Sequence, residues 1–341
     1  MLNRVYRLVE AHTIEPVSEY VEPSGDTVAV RPTHLSICNA DQRYYQGKRS
    51  ARVMAKKLPM ALIHEGIGRV VFDPAGEFEP GTRVVMLPND PVETDACIAE
   101  NYLRSSHFAG SGYDGFMQEL CILPHRRVLA LPEGIDLHVA AFTELVSVAV
   151  HAVTRFGNIA HARKDTIGVW GDGNLGFIVS LVLHLVYPEA RIYVVGRNPY
   201  KLADFTFAHE TFLSSGIPDQ MLVDHAFECC GGEGSTSAIE QIIDHIRPEG
   251  SVGLMGVSEY PVPVNTRMVL EKGLRVFGSS RSGRADFEKT LQLHRDHPEM
   301  AEYLTALIGN VIPVRDIFDI AHAFDVDIQK QMGKTIMEWR L

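Results

Sequence analysis

The sequence predicts an α/β chain in two domains: a β-rich, barrel-like domain, and a doubly wound parallel sheet with helices on both faces. Three observations predict it. The length of 341 residues exceeds what one core usually supports, and 45% hydrophobic residues supply apolar surface for two. The first third of the chain reads as short β segments separated by Gly, Pro and Asp turn signals. After Asp165, strand-like and helix-like segments alternate, as a parallel sheet requires.

In chain order, the β segments are DTVAVRPTHLSI, GIGRVVFD, GTRVVMLP and FMQELCILP. From Leu137 the apolar period changes, and LHVAAFTELVSVAVHAVTRF predicts one largely buried helix that encloses Glu144. The alternating part predicts strand TIGVWG, helix NLGFIVSLVLHLVY, strand RIYVVG, helix PYKLADFTF, a short segment TFLSS, strand DHAFECC, helix GSTSAIEQIIDHI, and strands GSVGLMGV and GLRVFGSS. A helical stretch, ADFEKTLQLHRDHPEMAEYLTALI, precedes a final strand TIMEWRL that is expected to return to the first domain. The domains expected are therefore 1–157 completed by 284–341, and 158–283.

A net charge of −11 argues against nucleic-acid or anionic-membrane partners, which call for a basic stripe. The first residues lack the pattern of a signal peptide and no run of about 18 apolar residues occurs, so a soluble, cytoplasmic protein is expected. The five cysteines, Cys38, Cys97, Cys121, Cys229 and Cys230, form no C-x-x-C and fit reduced thiols better than disulfides.

Cys38, His64, Glu65 and Glu144 offer one thiolate, one imidazole and two carboxylates, a donor set suited to an open catalytic zinc. His64 and Glu65 are adjacent on an extended chain, so they are expected to face opposite sides unless the glycines that follow kink it, and to ligate one at a time. A carboxylate inside an apolar helix, as Glu144 is, needs a metal or a basic partner.

The segment Thr166 to Gly176 runs from an apolar strand into Gly171, Gly173 and Gly176, with Asn174 and Leu175 opening the next helix. That spacing lets a backbone approach a pyrophosphate, and Asp172 within it is expected to point outward. About 20 residues on, where an acid marks NAD sites, stand Arg197 and Lys201, which suit the 2′-phosphate of NADPH. Zinc plus a dinucleotide predicts hydride transfer.

The segments SICNADQRYYQGKR, LPMALIHEG, IAENYLRSS, WGDGNLG, HAFECCGG, VNTRMVLEKGL and GSSRSG carry a resemblance over essentially the whole chain to the zinc-dependent medium-chain dehydrogenase/reductases. Among these the chain is most similar to the bacterial ribulose-5-phosphate reductases, or ribitol-5-phosphate dehydrogenases, of CDP-ribitol and teichoic acid synthesis. The resemblance implies a GroES-like catalytic domain split around a Rossmann domain, with the active site in the cleft between them. It also implies one catalytic zinc on Cys38, His64, Glu65 and Glu144, and reduction of D-ribulose 5-phosphate by NADPH. Asp41 is then the acceptor for the His64 ring N–H, and Arg43 and Arg281 are the favoured cations for the substrate phosphate.

Further implications are a homo-oligomer, with GSVGLMGVSEYPVPV as a sheet edge, and a ribitol-5-phosphate cytidylyltransferase as partner or next enzyme. The competing readings are a zinc dehydrogenase of an unphosphorylated polyol and a non-catalytic binding protein of the same fold. Three departures stand out. The region from Asn89 to Gly112, where relatives hold a structural zinc on four cysteines, has only Cys97, so no structural zinc is expected. Ile63 replaces a glycine before the ligand histidine, and Ala40 replaces a hydroxyl residue that relays a proton, leaving Tyr44, Tyr45 and His34 as candidates. Cys229, Cys230 and Trp170 read as packing residues, and His107, His125 and His161 as exposed.

Overall fold

A computed structural model describes residues 1–330 and 332–341. The chain divides into two compact units, Met1–Glu144 with Ser282–Leu341, and Leu145–Arg281. The first division falls earlier than position 157 because the helix Thr143–Ile159 contributes its opening turn, with Glu144, to the first unit and the rest to the second.

The first unit is built on a seven-stranded sheet. Its strands run Val128–Ala130, Arg83–Met86, Glu65–Phe72, Thr27–Ser36, Lys334–Trp339 and Ile308–Val314, and Cys121–Pro124 also pairs with Thr27–Ser36. A three-stranded sheet, Thr13–Tyr20, Leu2–Glu10 and Met60–Ala61, accompanies it. Val28, Val30 and Leu35 are buried together with Tyr45, Phe116, Phe324 and Trp339. Tyr45 stacks on Phe324 at 4.4 Å, an aromatic pair worth about 0.5–1.5 kcal/mol beyond its buried area. The strand Lys334–Trp339 runs antiparallel to Thr27–Ser36 with Ile336 opposite Ser36 and Glu338 opposite His34, so the end of the chain closes the first unit.

The second unit holds six parallel strands in the order Glu210–Leu213, Arg191–Gly196, Thr166–Trp170, His225–Glu228, Ser251–Leu254 and Arg275–Gly278. This is the doubly wound order of dinucleotide-binding folds, with its switch point beside Thr166–Trp170, whose five residues are all buried. Ser251–Leu254 is paired on both sides, so the segment expected to supply a sheet edge does not; the edges are Glu210–Leu213 and Arg275–Gly278.

Three predicted helices are shorter or broken. The stretch from Leu137 splits into Leu137–Ala140 and Thr143–Ile159, where the Thr143 hydroxyl donates to the Ala140 carbonyl at 2.8 Å and turns the chain. Pro298, which lacks an N–H, separates Arg284–Asp296 from Glu299–Thr305. The helix from Pro199 ends at Leu202, and Phe205 and Phe207 beyond it pack edge-on against Phe177 at 5.0 and 5.1 Å. Among the described residues, no helix is long and apolar enough to cross a membrane.

Candidate functional site

Cys38 follows the strand Thr27–Ser36 and caps the helix Asn39–Tyr45, which places its sulfur at the helix N-terminus. Asp41, fully buried in that helix, accepts the Cys38 N–H at 3.0 Å through Oδ2 and the Ile63 N–H at 3.1 Å through Oδ1. Its Oδ1 also stands 3.4 Å from His64 Nδ1. One carboxylate therefore ties together the two segments that carry the thiol and the imidazole. Burial opposes a charge on His64, but Asp41 overcomes it and raises the imidazole well above its ordinary value.

The expectation that His64 and Glu65 point apart is corrected. The ligand atoms of Cys38, His64 and Glu65 all lie within 4.8 Å of one another. The reason is local: Ile63 adopts a left-handed backbone, φ 71°, and the strand Glu65–Phe72 begins only after His64. Glu144 is buried nearby in the first turn of Thr143–Ile159 but is not part of this converging group. Burial pushes its carboxyl up to about 7, opposed by the charge of His64 and reinforced by that of Glu65.

Sequence reading missed Lys334. Its Nζ donates to Glu65 Oε1 at 2.7 Å, with Glu65 0% and Lys334 2% exposed, while Glu65 Oε2 is buried without a hydrogen-bond partner. Burial opposes the Lys334 charge, yet Glu65 and Cys38 raise the ammonium above its ordinary value. A sulfur, an imidazole and an oxygen aimed at one point, one carboxylate oxygen orphaned, form a donor set that fits zinc.

In the second unit, Gly171 lies at φ 138°, a conformation that favours glycine, and Gly176 packs so closely that a Cβ would come 1.9 Å from the Gly171 carbonyl oxygen. Gly173 caps the helix Asn174–Val186, and Asn174 and Leu175 form its first turn, an arrangement that receives phosphate. A cavity of about 140 Å³ beside it is lined by Gly171, Gly173, Arg197, Ser214 and Cys230 among others. Lys201, in the helix Pro199–Leu202, stands outside that lining. Asp172 does not point outward: its Oδ2 accepts the N–H groups of Arg197 and Asn198, both at 2.7 Å, and so fixes the loop that carries Arg197.

The remaining expected residues are less convergent. Arg43 is half-buried in Asn39–Tyr45, and Arg281, φ 59°, ends the second unit. Tyr45 belongs to the core stack, Tyr44 accepts from Lys57 Nζ at 2.8 Å, and His34 packs against His138. Cys230 is exposed rather than packed, and its thiol donates to the Trp170 carbonyl. His125 is paired with Asp73 at 2.7 Å and His161 lies against His225 with ring centroids 4.2 Å apart, so neither is a free surface residue, whereas His107 is exposed.

Residues 24–133 match the alcohol dehydrogenase GroES-like domain and residues 189–296 the zinc-binding dehydrogenase domain. The chain is 55% identical to the ribulose-5-phosphate reductase of Bacillus spizizenii, with 100% of each chain covered. The chain belongs to this family of zinc-binding dehydrogenases. The ribulose-5-phosphate reductase of Streptococcus pneumoniae is 45% identical over 100% of this chain and 98% of its own. The crystal structure of Staphylococcus aureus TarJ in complex with NADPH superposes with a TM-score of 0.90 at 46% identity, covering 100% of both chains. The fold of these reductases, a GroES-like unit with a Rossmann-type parallel sheet, is thus the fold of this chain.

Proposed function

We propose that this chain is an NADPH-dependent reductase that converts D-ribulose 5-phosphate to D-ribitol 5-phosphate at a single catalytic zinc. The observation that carries the reading is the convergence of Cys38, His64 and Glu65 within 4.8 Å, in a chain 55% identical along its whole length to a ribulose-5-phosphate reductase.

Cys38, His64 and Glu65 would hold the metal, and Glu144, buried in the opening turn of Thr143–Ile159, is the further carboxylate assigned to it. When bound, zinc supplies Lewis acidity to a carbonyl, worth several kcal/mol of transition-state charge stabilisation, and NADPH supplies the hydride. Asp41 orients the His64 ring, as carboxylates behind metal-bound histidines do. Lys334 engages one oxygen of Glu65 and leaves the other for the site.

Gly171, Gly173, Asn174, Leu175 and Gly176 receive the pyrophosphate, and Arg197, with Lys201 on the following turn, takes the 2′-phosphate. Arg43 and Arg281 neutralise the substrate phosphate. No cysteine-held structural zinc accompanies the site, because Cys97 stands alone in its segment. The enzyme works in the cytoplasm as a homo-oligomer, and its product suits a cytidylyltransferase as partner or next enzyme.

NADPH oxidation by the zinc-loaded protein tests this directly, with D-ribulose 5-phosphate run beside D-ribulose and beside NADH. Turnover confined to the phosphorylated ketose and NADPH supports the reading. Equal turnover of D-ribulose makes the enzyme a polyol dehydrogenase, and no turnover of either removes the proposal.

A further inference from the structure

We propose that His34, His138 and Glu338 form a second divalent-cation site in the first unit, suited to a borderline ion such as Zn²⁺ and built from residues other than the Cys38 cluster. Each offers a ligand atom, and the three atoms lie within 4.8 Å of one another. Two imidazoles and a carboxylate are the donors that zinc and its neighbours in the transition series select, and no thiolate is needed.

The frame that holds them is rigid. His34 and Glu338 are directly opposite in the antiparallel pairing of Thr27–Ser36 with Lys334–Trp339, so their side chains rise from one face of the sheet. His138 stands in the first turn of Leu137–Ala140, where Asp136 caps the helix by accepting the His138 and Val139 N–H groups. His138 Nε2 and Glu338 Oε1 are 3.2 Å apart, close to the roughly 3.3 Å that separates two donors on a tetrahedral ion with bonds of about 2.0 Å.

A hydrogen bond from His138 to Glu338 accounts for that pair alone. It leaves unexplained why a second imidazole is packed against the first, with ring centroids 5.3 Å apart. Asp136 Oδ1, 3.8 Å from His138 Nδ1, adds a negative charge near that ring without a hydrogen bond to it. Arg340 takes Glu338 Oε2 and leaves Oε1 facing His138. A cavity of about 240 Å³ lined by His34, Glu338, Arg69 and Arg83 gives room for a fourth ligand, and the two arginines favour a small anion there.

The experiment counts metal. Full-length protein equilibrated with excess Zn²⁺ and freed of loose ion is expected to hold two zinc ions per chain, against one in His138→Ala and one in the milder His138→Gln. Cobalt substitution gives a readout on the wild-type protein itself. The first equivalent, at Cys38, brings sulfur-to-cobalt charge-transfer absorption, and the second is expected to add d–d absorption with no further charge transfer. One zinc per wild-type chain overturns the proposal. So do two zinc ions retained in both variants, or a second cobalt equivalent that again carries thiolate absorption.

Discussion

The ammonium of Lys334 meets the carboxylate of Glu65 at 2.7 Å inside the first unit, joining residues 269 apart in sequence. Neither side chain reaches solvent to any useful extent, so the pair must satisfy itself. Lys334→Met is expected to leave a buried, uncompensated anion and to destabilise the zinc-free protein by about 3–5 kcal/mol. Lys334→Arg should recover most of that loss. Urea unfolding of the three proteins measures it, and a Met variant as stable as the wild type would remove the pairing from the account.

Asp41 serves two backbone N–H groups and faces His64, so its charge and its geometry both matter. Asp41→Asn is expected to weaken zinc binding about 10–100-fold, the usual effect of losing a carboxylate behind a ligand histidine. Competition with a chelator of known strength gives the number. Zinc affinity within twofold of wild type would assign Asp41 to folding alone.

Arg197 hangs from a loop that Asp172 fixes through two 2.7 Å hydrogen bonds. Hydrogen bonds to a charged group are worth about 1.5–3 kcal/mol, which predicts a rise of roughly 10–100-fold in KM for NADPH in Arg197→Ala with little change for NADH. Asp172→Ala should move NADPH in the same direction by a smaller factor. Equal effects on the two cofactors would count against a 2′-phosphate contact.

His225 is satisfied only as a neutral ring: Nδ1 accepts the Ser251 N–H at 3.1 Å and Nε2 donates to the Arg163 carbonyl at 2.9 Å. Burial, then the neighbouring His161, lowers it from 6.5 to about 4, against a weaker pull from Asp224. The unfolded chain therefore binds the proton more readily, and the stability this ring contributes is complete above pH 6.5 and lost as pH falls towards 4. One such group changes stability by at most about 1.4 kcal/mol per pH unit. Thermal unfolding of His225→Gln should start lower at pH 7 and then fall less steeply with acid than wild type; parallel curves would contradict the reading.

The residues of the site were legible as chemical types, but their convergence was not. Cys38, His64 and Glu65 announce themselves as donors. The alternation rule then sends His64 and Glu65 to opposite faces, because it has no means of knowing that Ile63, a β-branched residue, is left-handed. Lys334 was invisible for a different reason: its partner lies on another strand far back in the chain, and a lone lysine before an apolar strand reads as solvated. The parallel sheet, by contrast, was legible in five of its six strands, since those segments are short apolar runs bounded by turn residues; Glu210–Leu213, with a charged and a hydroxyl residue in its four, read only as a short segment. Helix ends were read less well where one hydroxyl, Thr143, or one proline, Pro298, decided the break.

The closure of the first unit by its last strand also orders events in time. At usual elongation rates of 5–20 residues per second, roughly 15 to 50 s separate the synthesis of Glu65 from that of Lys334. During that interval the nascent chain already carries Cys38, His64 and Glu65 but not the strand that seals them. Until that strand is made Glu65 lacks its ammonium partner, so the buried ion pair behind the cluster is completed long after the residues of the cluster have been synthesised.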